Sequence, residues 1–313
     1  MKTETIDIHT HTMGIEDTAE YQFGKFSKWI GKKKSRLKLV QNCLYWLGEK
    51  TNIDELERYA ILLDYLDDST ESKIVRMLQR VDCIVINTMD LAYCGAGDVK
   101  RDYRRQLDEL ISLKTKYNIK IFMHLEPKRD NFWELVDYYQ FFVDGWKLYP
   151  PVSGYPTDHD IQAVLRKYPK PVTAHCTNTS PIYYKGKDID LMIDWSHWTA
   201  RGGSQKDKCQ SFSHPYWLAV LARNNPQVSI NAAHGGGKNP KLRDYVKKYC
   251  KEIPNFYTDC SFTFGDPKEN FEEFHKGIET KDLYGTDNTM CGAFTVAHME
   301  QMQKNNKNFL NLK

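Results

Sequence analysis

Short apolar runs that end on a polar residue alternate with stretches of helical spacing along this chain. The first run, Ile6-Asp7-Ile8-His9-Thr10-His11, is rich in β-branched residues and predicts a strand. Strand side chains alternate, which would put Asp7, His9 and His11 on one face and Ile6, Ile8 and Thr10 on the other. The next stretch, 13–69, changes period. Leu56, Tyr59, Ala60 and Leu63 fall at i, i+3, i+4 and i+7, and Ile74, Met77, Leu78 and Val81 repeat the spacing just beyond it. Thr51 with Asp54 resembles a capping box. The aromatic and basic part of this stretch (Tyr21, Phe23, Phe26, Trp29, Tyr45, Trp46) is expected to be an insertion after the first strand, helical in part.

From there the alternation is regular. Strands are expected over 82–87, 119–124, 143–149, 171–175, 227–234, 255–259 and 283–287. Helical patterns separate them, carrying Tyr103, Leu107, Leu110 and Ile111, then 131–140, 158–167, 216–223, 241–251 and 268–278, with a last helix over 293–304. Eight strands alternating with helices predict an α/β protein of the (β/α)8 TIM-barrel type, one domain over 1–313, with a helical insertion after strand 1 and a long loop after strand 5. A doubly wound open sheet would want a glycine-rich turn after an early strand, and the sequence has none.

Composition narrows the reading. The hydrophobic share of 41% in 313 residues suffices for one large core. A net charge of +3, with acids and bases interspersed, gives no nucleic-acid footprint, and the Lys32–Lys34 run reads as a solvated loop. The eight cysteines have no CxxC spacing, so free thiols in a reducing compartment are expected. No apolar run is long enough to span a membrane, and the first strand starts too early for a signal peptide. A cytoplasmic protein with a small-molecule substrate is expected, without nucleic-acid or membrane partners.

Barrel chemistry collects at the carboxyl ends of the strands. Those ends carry, in order, His9 and His11, Lys147, His175, His234 and Asp287. Taken singly, His175 could be a core histidine and Asp287 an ordinary N-cap. Together they form a constellation, because a barrel brings strands one, five, six and eight around one axis. Three neutral imidazoles and a carboxylate suit one divalent ion per chain, Zn2+ first and Mn2+ second, with a water in the remaining position. Such an ion lowers the pKa of that water; Asp287 can hold it and accept its proton, and His234 is left as a second acid/base or an oxyanion donor.

The stretches Asp7-Ile-His-Thr-His11, Gly145-Trp-Lys-Leu-Tyr-Pro-Pro151, Val172-Thr-Ala-His175, Ser213-His-Pro215, Asn231-Ala-Ala-His-Gly-Gly236 and Tyr284-Gly-Thr-Asp287 together resemble the amidohydrolase superfamily. The resemblance is to the branch that contains aminocarboxymuconate-semialdehyde decarboxylase. It implies that His9, His11, His175 and Asp287 hold a divalent metal, with His234 a catalytic histidine beside it. In binuclear members a lysine ending strand four is carbamylated and bridges two metals. Lys147 stands at that place and is a candidate for a second metal, a substrate carboxylate or a structural role. Members often pair as homodimers. The expected activity is hydrolysis of an amide, ester or lactone bond in a small molecule. The alternatives are a metal-dependent non-oxidative decarboxylase and a metal-binding scaffold without catalysis.

The loop 177–213 is long enough for a lid, with Tyr183, Tyr184, Trp195, His197 and Trp198 as candidate pocket residues against a satellite hydrophobic cluster. Arg129 is a candidate for a substrate carboxylate, set against an ordinary solvated loop arginine. His124 ends strand three near the same mouth, while His159, His275 and His298 fall on expected helices and read as surface residues.

Overall fold

Each apolar run becomes a short strand buried on both faces, the condition under which parallel strands are stable. The computed structural model describes residues 4–21, 36–43, 63–177, 189–193, 196–200, 211–237, 239–259, 261, 275–287 and 299–312. The strands are β1 Ile6–Thr10, β2 Cys83–Asn87, β3 Ile119–His124, β4 Gly145–Leu148, β5 Val172–His175, β6 Ile189–Ile193, β7 Ser196–Ala200, β8 Ile230–Ala233, β9 Phe256–Asp259 and β10 Asp282–Leu283. Eight of them form one parallel sheet in the order β1, β2, β3, β4, β5, β8, β9, β10. Hydrogen bonds from Ile8 N to Tyr284 O (3.0 Å) and from Asp287 N to His9 O (2.7 Å) join its last strand to its first. This is the expected (β/α)8 barrel. Strands β6 and β7 form a separate antiparallel hairpin inside the stretch expected to be loop, so part of that candidate lid is regular structure.

The helices are α1 Thr70–Leu78, α2 Tyr103–Lys114, α3 Phe132–Tyr139, α4 Pro150–Ser153, α5 His159–Lys167, α6 Pro215–Asn224, α7 Pro240–Glu252 and α8 Met299–Phe309. Their starts are chemically marked. Ser69, Asp102, Asp158 and Asn239 each accept a first-turn N–H on the side chain, and α6 and α7 open with Pro215 and Pro240. Within the insertion, 36–43 and 63–67 are helical; Leu56, Tyr59 and Ala60 lie outside the described residues. Helix α8 runs five residues past the expected stop at 304. The eighth strand is shorter than expected because its partner β9 stops at Asp259; beyond Leu283 the chain bonds to β1 instead.

The outward strand residues Ile84, Ile86, Ile121, Trp146, Val172 and Ile230 pack under the helices. Inside the barrel, Ile6, Ile8, Cys83, Val85, Phe122 and Leu283 form an apolar floor that Phe309, at the end of α8, and Leu310 just beyond it join. A Cβ on Gly145 would lie 2.4 Å from the Phe122 ring, so the glycine makes room for that floor.

One expectation about β1 fails. Ile6 pairs with Cys83 and Asp7 with Ile84, yet Thr10 pairs with Ile86, so a bulge adds one residue between Asp7 and Thr10. The bulge shifts the alternation and takes Asp7 off the face that carries the histidines. Its carboxylate instead accepts from Thr286 N (3.0 Å), Thr286 Oγ1 (2.6 Å) and His9 N (3.1 Å), tying β1 to the end of the barrel's last strand.

Candidate metal centre

The bulged end of β1 delivers two imidazoles into the mouth of the barrel. His9 is fully buried and His11 partly so. His11 Nδ1 lies 2.7 Å from the carbonyl of Asn87, which requires the proton on Nδ1 and leaves Nε2 as the acceptor. His9 Nδ1 lies 3.2 Å from Asp259 Oδ2, and the same reasoning frees its Nε2. Those Nε2 atoms face one carboxylate oxygen, Asp287 Oδ1, at 3.8 Å from His9 and 3.5 Å from His11. The donor atoms of His9, His11 and Asp287 all lie within 4.8 Å of one another.

Burial is the main cause that pulls His9, His11 and His234 well below the ordinary imidazole range, helped for the first two by Lys147. The rings are therefore neutral, the form that binds a metal. Asp287 and Lys147 form a tightly linked buried pair: desolvation pushes the carboxyl up and the amine down, and their mutual attraction opposes both. Lys147 Nζ sits 3.3 Å from His9 Nε2. Among the described residues the donor set, two converging imidazole nitrogens with a carboxylate, fits a divalent metal ion.

His175 and His234 occupy the same mouth. His234 Nε2 is 3.1 Å from His175 Nδ1, and Tyr149 lies against the His175 ring at 4.8 Å between centroids. Thus His9, His11, Asp287 and Lys147 are brought together directly, with His175 joined to them through His234, whose ring centroid is 4.9 Å from that of His9.

The backbone marks the same residues. Asp287 (φ 52°) and His234 (φ 69°) are two of three non-glycine residues with positive φ among those described. The N-cap reading of Asp287 fails on this ground, because a cap residue is extended. Both strained residues are held by hydrogen bonds from their own N–H groups, to His9 O and to Asp259 Oδ1.

Asp259 escaped the sequence analysis as a site residue. Its signal was present: Phe-Tyr-Thr-Asp259 ends a strand on an acid just as Tyr-Gly-Thr-Asp287 ends its run. Tyr65 and Lys73 carried no signal, because they reach the site through backbone contacts. Tyr65 donates to His11 O, and Lys73 Nζ donates to Met13 O at 2.8 Å.

Other readings change. Arg129 is not solvated: it pairs with the buried Asp90 and packs over Tyr93 and Tyr103. His124 is structural, its Nδ1 accepting Asp90 N at 2.9 Å and its Nε2 lying 3.0 Å from Ser153 Oγ. His159 is exposed, as expected, but His275 is buried against Asp282 Oδ2 at 2.6 Å. Tyr183, Tyr184, Trp195, the side chains of His197 and Trp198, and His298 lie outside the described residues. Cys43, Cys83, Cys176 and Cys250 are free thiols. Among the described residues, no helix is long and apolar enough to cross a membrane.

No protein-family model and no curated protein matches the chain. Solved structures do. An uncharacterized TIM-barrel protein of Bordetella bronchiseptica superposes with a TM-score of 0.57 at 12% identity, covering 98% of each chain. The chain is a TIM barrel. Amidohydrolase 2 of Bifidobacterium longum subsp. infantis has the same fold, with a TM-score of 0.55 at 12% identity over 99% of each chain. The alignments thus span nearly the whole of this chain.

Proposed function

We propose that this protein is a metal-dependent hydrolase of small molecules, acting on an amide, ester or lactone bond. The observation that carries the reading is the convergence of His9 Nε2, His11 Nε2 and Asp287 Oδ1 at the carboxyl ends of the first and last barrel strands, where barrel enzymes keep their chemistry. The amidohydrolase fold likeness agrees with it. His9, His11 and Asp287 would hold the ion, and His175 would complete the set. When bound, a divalent ion supplies Lewis acidity and activation of water at neutral pH.

The chain's own groups do the rest. The Asp287 carboxylate accepts a proton at Oδ from the attacking water, since burial raises its basicity above that of an ordinary carboxylate. His234, neutral and held by its neighbours, acts as a second acid/base by taking up a proton at Nε2 and passing it to the leaving group. Burial also favours the uncharged amine of Lys147, the form that can be carbamylated, so about two equivalents of metal per chain would make Lys147 a bridge to a second ion.

The test is elemental analysis of protein purified without chelator or affinity metal, followed by assays on amide, ester and lactone panels. About one equivalent per chain, with turnover lost in His175→Ala and Asp287→Asn, is the expected result. No metal after incubation with zinc or manganese would overturn the proposal. Carbon dioxide released from carboxylic acids, with no hydrolysis of any panel member, would replace it with a decarboxylase.

A further inference from the structure

The carboxylate of Asp259, fully buried at the end of β9, receives five hydrogen bonds. Oδ2 faces His9 Nδ1 at 3.2 Å and accepts from Asn231 Nδ2 at 2.7 Å. Oδ1 accepts from His234 N at 3.0 Å, from Ser261 N at 3.1 Å and from Ser261 Oγ. A carboxylate can only accept, so every proton in this shell must point toward it.

That requirement propagates. The hydroxyl hydrogen of Ser261 is spent on Asp259, which leaves its Oγ an acceptor toward the rings that flank it. Those rings are His9, with Nδ1 at 3.0 Å, and His234, with Nδ1 at 3.0 Å. Both must therefore carry their proton on Nδ1. His234 Nε2 is then an acceptor, and His175 Nδ1, 3.1 Å away, must donate to it. The proton of His175 is thus on Nδ1 as well, and its Nε2 bears the lone pair.

We infer that Asp259, directly on His9 and through Ser261 on His234 and His175, is the positioning residue that sets the tautomers of these three rings and so presents Nε2 of His9 and of His175 for metal binding. The inference rests on the metal-centre reading for its purpose, though the tautomers themselves do not depend on it. A rival use of Asp259, as a ligand to a second ion with His9 and His234, has the donor atoms close enough. It is disfavoured because both carboxylate oxygens and both ring nitrogens of His234 already have hydrogen-bonding neighbours.

Asp259→Asn is the informative variant. Its amide oxygen is best placed toward the cluster of donors on Oδ1, which turns its NH2 toward His9 Nδ1 and Asn231. Asn231 can accommodate this by rotating its amide, whose oxygen has no hydrogen-bond partner among the described residues. The neutral amide oxygen holds the Ser261 hydroxyl less strongly than a carboxylate does, so Ser261 Oγ turns its hydrogen to His9 Nδ1 as well; His9 would then accept on Nδ1 and carry its proton on Nε2, where the metal should bind.

The experiment is nitrogen-15 NMR of the histidine rings in metal-free protein, with zinc affinity measured by chelator competition. In the wild type, His9, His175 and His234 should all be protonated on Nδ1. Asp259→Asn should move the His9 proton to Nε2 and weaken zinc binding by about 10- to 100-fold, with little change in melting temperature. Ser261→Ala should leave His9 protonated on Nδ1. A wild-type His9 protonated on Nε2 overturns the inference without need of any variant, as does unchanged zinc affinity in a folded Asp259→Asn. Two zinc equivalents in the wild type and one in Asp259→Asn would make Asp259 a ligand instead. Protein that binds no zinc but shows the three tautomers would remove the metal-centre reading and leave the role of Asp259 intact.

Discussion

Lys147 Nζ donates to His9 Nε2 across 3.3 Å, the atom that the metal-centre reading assigns to an ion. In the metal-free protein the amine therefore competes with a cation for one lone pair. If Lys147 works as an amine, Lys147→Met removes both a competitor and a nearby positive charge, and zinc affinity should rise by roughly tenfold or more. If Lys147 is carbamylated and bridges ions, the same substitution removes a ligand, and affinity and stoichiometry both fall. Chelator competition with metal counting reads the sign directly. The expected result is tighter binding with one equivalent retained.

Gly285 packs its α-carbon against His9. A Cβ there would lie 2.7 Å from His9 Cβ and 3.5 Å from Asp259 Cβ, and neither backbone is free to withdraw. Gly285→Ala should therefore cost about 1–3 kcal/mol of stability by overpacking. It should also weaken zinc binding by displacing the His9 ring. Denaturant unfolding and chelator competition measure the two effects; a variant with wild-type stability and affinity would show that the barrel's closing seam has slack.

How much of this was legible in the sequence follows from what each residue depends on. The barrel and five candidate site residues were readable because strand ends are local: His9, His11, His175, His234 and Asp287 each close a run of apolar or small residues. The bulge in β1 was not, since it depends on which residue of β2 each residue of β1 meets, and Asp7 was placed on the wrong face as a result. Asp259 had the same local signal as Asp287, but nothing in the sequence says that a carboxylate will face His9 rather than cap a turn. Arg129 and His275 looked like surface residues because their partners, Asp90 and Asp282, are set by tertiary packing.

The His275 pair has a measurable consequence. Asp282 is fully buried, its Oδ1 has no hydrogen-bond partner among the described residues, and His275 Nδ1 donates to its Oδ2 at 2.6 Å. His275→Ala strands that carboxyl at the start of β10. Removing one member of a buried pair costs about 3 kcal/mol or more. His159→Ala, at an exposed position, should change stability by less than about 0.5 kcal/mol. Comparing urea midpoints of the two variants checks the assignment, and equal midpoints would contradict it.

Lys73 supplies a pH dependence with a definite sign. It is fully buried on α1, and its Nζ donates to Met13 O at 2.8 Å and to Thr12 O at 3.4 Å, holding the chain just after His11. Desolvation, the largest influence, lowers its pKa from 10.5 to about 8, against the pull of Asp17. Between those values the unfolded chain binds the proton more tightly than the folded one, so folding becomes more favourable as pH rises. The cost of the buried charge is present in full below about pH 8 and is relieved by about pH 10.5. Lys73→Met has no such group, and other titrations cancel in the comparison. Wild-type stability minus variant stability should therefore grow by about 3 kcal/mol between pH 7 and pH 10.5. Urea unfolding at those two pH values measures it, and a constant difference would mean that Lys73 keeps an ordinary amine in the folded protein.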